Sequence, residues 1–217
     1  MVRLIPSPVR GFAAGLMVFL VTAAVGLSGT VRATEPAPPP SGETLFLTGR
    51  LLVASPDMGD PRFSHSVVYM VSHDKTGAFG LIINKAYGSG PLREFLKAFD
   101  IDPAGVEGTI NLHYGGPVSP SAGYVLHTSD YKGPGTHVID KDFAMTSEMS
   151  IMTAIAEGRG PRNSLFSFGY SGWGAGQLES EVQRGDWLSA PADESLIFDD
   201  DQQTKWDRAT GKAGLKL

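Results

Sequence analysis

The chain has 217 residues, with 18 Lys+Arg against 23 Asp+Glu, 41% hydrophobic residues, 27 Gly and no Cys. The apolar and charged fractions fit a globular protein and exclude wholesale disorder. The lack of Cys removes disulfides, thiolate metal sites, Fe–S clusters and Cys nucleophiles, and the acidic balance argues against nucleic-acid binding.

Residues 1–33 carry Arg3, Arg10 and Arg32 and no acidic residue, and residues 12–27 are strongly apolar. A basic start followed by an apolar run is the secretory signal pattern, and Val31-Arg32-Ala33 supplies small residues for cleavage after Ala33. As a helix, 12–27 rises about 24 Å, short of the roughly 30 Å hydrocarbon core, whereas 11–30 gives about 30 Å. A cleaved signal peptide and an uncleaved anchor therefore both fit. Either places the body outside the cytoplasm, with the N-terminus on the cytoplasmic side. Residues 34–42, TEPAPPPSG, read as a stiff, PPII-like linker. Without residues 1–33, which hold three of the basic residues and none of the acidic ones, the net charge moves from −5 to −8.

In the body, strands are expected where β-branched and aromatic residues cluster between turn signals. These are 48–54, then 66–72 and 79–84 around a five-residue hairpin loop at 73–77. Short strands follow at 111–114, 123–127 and 137–139, then 165–170, 187–189 and 196–198. Helices are expected at 91–99, where Pro91 opens a helically spaced apolar set, and at 146–156, capped by Thr146 or Ser147. Two more are expected at 177–184 and 202–209, the last capped from Asp199, Asp200 and Asp201, with a flexible tail at 210–217. Strands outnumber helices and many join through short turns. The fold class is therefore α+β, with a mostly antiparallel, barrel-like or bifurcated sheet and flanking helices.

Several groups could carry chemistry. Asp57, Asp60, His65 and His73 could converge on a metal ion, but none of the five His shows ligand spacing, so turn and surface roles explain them more simply and no metal is expected. Gly169-Tyr170-Ser171-Gly172-Trp173 fails the G-x-S-x-G pattern because Trp173 stands where the last Gly belongs. Ser171 still falls on an expected strand-to-helix turn, and His127 could serve it as a base. Gly172, Gly174 and Gly176 form G-x-G-x-G between a strand and a helix, the physical form of an anion site, or simply of close backbone packing beside Trp173. Asn84 and Lys85 close a strand, where Lys85 could be a cation at a pocket mouth. Trp173, Trp187 and Trp206 read as core or groove-lining.

The run LLVASPDMGDPRFSHSVVYMVSHDKTGAFGLIINK (51–85) resembles the opening of the YqgE/AlgH family of bacterial proteins. Later pieces fit in order: Gly115-Gly116-Pro117-Val118, Gly123 to Thr128, Gly169 to Trp173, Gln177-Leu178-Glu179 with Glu181, and Trp187 followed by Ala190-Pro191-Ala192. The resemblance spans roughly residues 43–209. It implies a compact α+β fold with a small barrel-like sheet, and little about chemistry. The family's usual label is a provisional one, transcriptional regulator. Its members typically begin near the equivalent of Leu45, so the N-terminal segment is a departure, and an exported protein cannot sit on the chromosome.

Three functions are therefore expected in order. The first is a non-enzymatic binding or regulatory domain, exported or anchored in the membrane only through its N-terminal segment. It uses no cofactor, takes a protein or small-molecule ligand and binds no nucleic acid. The second is a small-molecule enzyme or ligand sensor with a glycine-rich anion site at Asn84, Lys85, His127, Ser171, Gly172, Trp173, Gly174 and Gly176. The third is the cytoplasmic regulator that the family label implies.

Overall fold

The computed structural model describes residues 46–103 and 105–214. The signal or anchor at 1–33 and the linker at 34–42 lie outside the described residues. Among the described residues no helix is long and apolar enough to cross a membrane.

Ten strands form one curled, half-barrel sheet: β1 (Arg50–Ala54), β2 (Val67–Asp74), β3 (Gly77–Ile82), β4 (Ala86–Pro91), β5 (Thr109–Tyr114), β6 (Val118–Thr128), β7 (Thr136–Val138), β8 (Phe143–Thr146), β9 (Ser164–Gly174) and β10 (Trp187–Pro191). Five helices flank them: α1 (Leu92–Ala98), α2 (Ser150–Ala156), α3 (Gln177–Arg184), α4 (Glu194–Phe198) and α5 (Lys205–Lys212). The strand order is β10-β1-β2-β3-β9-β6-β8-β7, with the β4–β5 hairpin attached to β9. Every pairing is antiparallel except β5 with β9. The class is thus α+β with a mostly antiparallel, bifurcated sheet, as the turn-rich strand pattern predicts.

The fork lies on β9. Its first half pairs with β6 and with β5, and its second half, from Ser171 on, pairs with β3. That crossing is where glycine is required. A Cβ on Gly116, held at φ +149°, would sit on the Tyr170 carbonyl, and one on Gly115 would meet the Gly169 carbonyl. Only residues without side chains let the β5–β6 connection lie this close to β9. Alternation along the strands then divides the apolar residues among three clusters. Leu51, Val53, Tyr69 and Leu81 face α4 and α5; Leu52, Val68, Met70 and Trp173 face α3; Val125 and Phe166 face α1 and α2.

Several expectations need correction. The hairpin loop after β2 has two residues rather than five, because Asp74 still pairs with Gly77. Strands β4 and β8 are absent from the sequence reading. The segment AYGSGP of β4 has neither alternation nor β-branched residues, and it forms because β5 offers it an edge. Thr146 ends β8 rather than capping a helix, and α2 starts at Ser150 with no side-chain cap. Residues 196–198, expected as a strand, lie in α4 because the Asp193 carboxylate accepts the Leu196 N–H at 2.7 Å and opens a helix there. The last helix begins at Lys205 and runs to Lys212, so residues 210–212, read as tail, belong to it, with Thr210 fully buried.

Candidate functional site

The glycine-rich segment is not a turn. Ser171, Gly172, Trp173 and Gly174 are the last residues of β9, and α3 begins after the left-handed Gly176. Ser171 is fully buried and its hydroxyl donates to the Gly115 carbonyl at 3.2 Å. His127 is also fully buried. Its Nδ1 lies 2.8 Å from the Thr128 carbonyl and its Nε2 2.9 Å from the Thr146 hydroxyl, while burial pulls its pKa down. His127 is the register partner of Ser164, seven residues before Ser171 on β9, which separates the two by about 23 Å along the strand. The pair cannot act as nucleophile and base.

The anion cradle is filled from within. The Gly174 N–H donates to the Gln177 side-chain oxygen at 3.1 Å. The first turn of α3 carries Glu179, which offsets the partial positive charge of the helix start, and Glu181 follows two residues on; no side chain caps the helix N–H groups. A Cβ on Gly174 would meet only the Gln177 side-chain oxygen, at an ordinary 3.9 Å, and one on Gly176 nothing within 4 Å, so the close approach expected of them occurs instead at Gly115, Gly116 and Gly169.

What β9 does build is a groove of about 350 Å³ between the β1–β2 loop, the end of β9, α3 and the start of β10. Its floor is three rings. Phe63 stacks on Trp173 with centroids 6.4 Å apart, and Phe63 and Trp173 each meet Trp187 edge-on at 5.5 and 5.9 Å. One carboxylate ties the floor together: Glu181 Oε2 accepts both indole N–H groups, from Trp173 and from Trp187, at 2.8 Å each. Its other oxygen accepts from Gln177, one helical turn away, at 2.9 Å. The two rims are charged. Arg62 pairs with Asp60 at 2.6 Å and lies over the Phe63 ring at 5.9 Å, and Arg184 pairs with Asp186 at 2.7 Å. The hydrogen bond from Arg62 holds the Asp60 carboxyl below its usual range. The arrangement offers apolar ring edges between two ion pairs, a surface that suits binding and holds no aligned nucleophile.

Of the eight expected site residues, Gly172 and Trp173 line this groove. Asn84 and Lys85 adjoin it from outside. Lys85 Nζ donates to the Arg62 carbonyl at 2.8 Å, and Asn84 fixes the same loop by accepting the Val67 N–H and donating to the His65 carbonyl, at 2.8 Å each. Burial pulls the Lys85 ammonium below its usual pKa while Asp60 pushes the other way. Ser171 and His127 are core residues, and Gly174 and Gly176 shape the approach to α3. The sequence reading passed over Arg62, Phe63 and Glu181 as site residues. The Gln177–Glu181 spacing is a legible signal, but one carboxylate shared by indoles eight residues before it and six after depends on how β9 and β10 flank α3. The proposed convergence of Asp57, Asp60, His65 and His73 does not occur. His73 is held by the Leu47 N–H and Glu179, His65 by Ser64, and Asp60 by Arg62. Among the described residues no three His, Asp or Glu side chains could hold a metal ion.

A family profile described as AlgH-like matches residues 51–217. A UPF0301 protein of Methylococcus capsulatus is 46% identical over 170 residues, covering 78% of this chain and 93% of the relative. One from Afipia carboxidovorans is 40% identical over 205 residues, covering 91% of this chain and 95% of the relative, a share that residues 43–217 alone cannot supply. The solution structure of the AlgH protein from Pseudomonas aeruginosa matches with a TM-score of 0.66 and 36% identity, over 80% of this chain and 92% of that one. A crystal structure of a Corynebacterium diphtheriae protein, 18% identical, shares the fold with a TM-score of 0.60 over 75% of this chain and 84% of that one.

Proposed function

This chain belongs to the AlgH-like family, and from that premise we propose that it is a non-enzymatic binding domain, carried out of the cytoplasm by its N-terminal segment, whose partner docks on the Trp173–Trp187 groove. One observation carries the reading. Five of the separate sequence segments that mark the family meet at this groove: residues 51–85 with Asp60, Arg62 and Phe63, the 115–118 segment with Pro117 and Val118, the 169–173 segment with Gly172 and Trp173, the 177–181 segment with Gln177 and Glu181, and the 187–192 segment with Trp187. Segments 100 residues apart in sequence converge on a surface that has no arranged acid, base and nucleophile. A surface of ring edges flanked by opposite charges recognises a partner with an apolar group between charged ones. Export is supported by the basic and apolar pattern of residues 1–33 and by a relative whose match extends into the N-terminal region.

Two experiments test the two halves. Fractionation followed by N-terminal sequencing should find the protein in the periplasm beginning at Thr34, or in the inner membrane with residue 1 intact; a full-length cytoplasmic protein refutes export. A photo-crosslinking residue at Arg184, on the groove rim, should capture a discrete partner in cells, while the same residue at Arg93, on α1, should not. Equal capture at the two positions refutes the groove.

A further inference from the structure

A second cavity, of about 650 Å³, lies apart from the groove, between the β4–β5 hairpin, the first residues of β9, α2 and the α4–α5 connection. Its lining is divided. Ile110, Val125, Met152 and Phe166 form an apolar wall, and Asn111, His113, Asp200 and Gln202 form a polar end. Asn111 and Asp200 satisfy each other through a hydrogen bond of 2.7 Å. The other two each keep buried polar atoms without a partner. His113 is 3% exposed, and neither of its ring nitrogens makes a hydrogen bond. The Gln202 side-chain oxygen is buried without a partner as well, while the amide nitrogen on the same side chain donates to the Asp199 carbonyl at 3.4 Å. Buried polar groups are nearly always paired, so two unpaired ones at one end of one cavity call for a partner from outside the chain.

We propose that this cavity is a small-molecule site for an uncharged ligand with an apolar body and a hydroxyl head, the head placed between His113 and Gln202 and the body against Ile110, Val125, Met152 and Phe166. The head-group chemistry follows from what the polar end offers. Burial and the neighbouring Lys205 ammonium hold His113 below its ordinary pKa, so near neutral pH it is a neutral imidazole with one donor and one acceptor. Backbone groups of Asn111 and Phe166 approach the ring and oppose the shift without reaching hydrogen-bond geometry. The Gln202 oxygen adds a second acceptor. A hydroxyl, which both donates and accepts, matches this set. A carboxylate would bring its charge against Asp200, which lines the same cavity and accepts from the neutral Asn111 amide, whereas Asp199 is paired with Arg208 and Lys205.

Three probes of nearly equal size test the assignment: benzyl alcohol, toluene and benzoate, titrated into the purified protein. Binding is read from the methyl resonance of Met152 and the imidazole nitrogen resonances of His113. Benzyl alcohol should bind in the millimolar range and shift both sets, about five- to tenfold more tightly than toluene because of its hydrogen bonds, and benzoate should shift neither. In His113→Leu the preference for benzyl alcohol over toluene should vanish. Gln202→Leu, a more exposed position that folding tolerates, should narrow it severalfold without weakening toluene. Saturable shifts from none of the probes, equal affinity for benzyl alcohol and toluene, or a preference unchanged by either substitution would overturn the proposal. The groove reading is unaffected by any of these outcomes, since its indole resonances lie on the other side of the sheet's fork.

Discussion

Removing the Glu181 carboxylate should reveal how the groove is built. In Glu181→Ala the indole N–H groups of Trp173 and Trp187 both lose their acceptor, at residues only 6% and 3% exposed. Hydrogen bonds to a charged group contribute about 1.5–3 kcal/mol each, but the groove is open and water can reach part of the gap. The expected loss is therefore about 2–4 kcal/mol, or a fall in Tm of roughly 6–12 °C for a domain of this size. Glu181→Gln keeps an acceptor oxygen and loses only the charge, so it should cost about 1 kcal/mol. The decisive measurement is a cycle in urea denaturation. When Trp173→Phe and Trp187→Phe have already removed both donors, adding Glu181→Ala should cost under about 1 kcal/mol. If Glu181→Ala is within about 0.5 kcal/mol of the unaltered protein, or costs as much in the double-Phe background, the carboxylate does not hold the two indoles together and the reasoning fails.

Gly116→Ala should destabilise by more than about 3 kcal/mol, or prevent folding, because its Cβ would overlap the Tyr170 carbonyl at a positive φ; Gly59→Ala, with nothing within 4 Å of its Cβ, should melt within a degree or two of the unaltered protein in the same thermal scan. Burial raises the Asp193 carboxyl, but hydrogen bonds from Lys212, Ser195 and the Leu196 N–H outweigh it and hold the pKa at about 2, against 3.8 unperturbed. A carboxyl depressed in the folded state stabilises above its unfolded pKa and loses that contribution as pH falls towards 2. Asp193→Asn should thus cost about 1 kcal/mol at pH 6, discounted because the side chain is 34% exposed, and less than half of that at pH 2, where the folded-state carboxyl is about half protonated. Denaturation curves of both proteins at the two pH values check this, and a difference as large at pH 2 as at pH 6 would contradict it. Finally, the domain without residues 1–33, at −8, should show no affinity for duplex DNA at physiological salt; a gel shift that weakens steeply with added salt would restore the regulator label.

The sequence by itself determined much of the frame. Clusters of β-branched and aromatic residues between turn signals placed β2, β3 and the first half of β9, because such side chains pack well on a pleated, largely buried surface. The left-handed Gly176 and Gly185 bracket α3, which occurs where its polar and apolar spacing predicts. Short motifs in fixed order identified the family. Tertiary structure decided the rest, wherever a residue's role depends on which element packs beside it. The segment of β4 is a strand only because β5 lies beside it, whereas residues 196–198 turn helical through the local Asp193 cap, a signal already in the sequence beneath a strand-like composition. Ser171 and His127 are plausible catalytic types in any list of residues, yet the register of β6 on β9 holds them far apart and buries both. Glu181 reads as one more charge on an exposed helix until β9 and β10 bring two indoles to it. His113 reads as a strand residue until the fold encloses it with no partner for either nitrogen. Composition and periodicity report how each residue partitions between core and water; which polar group meets which is fixed only when the sheet closes.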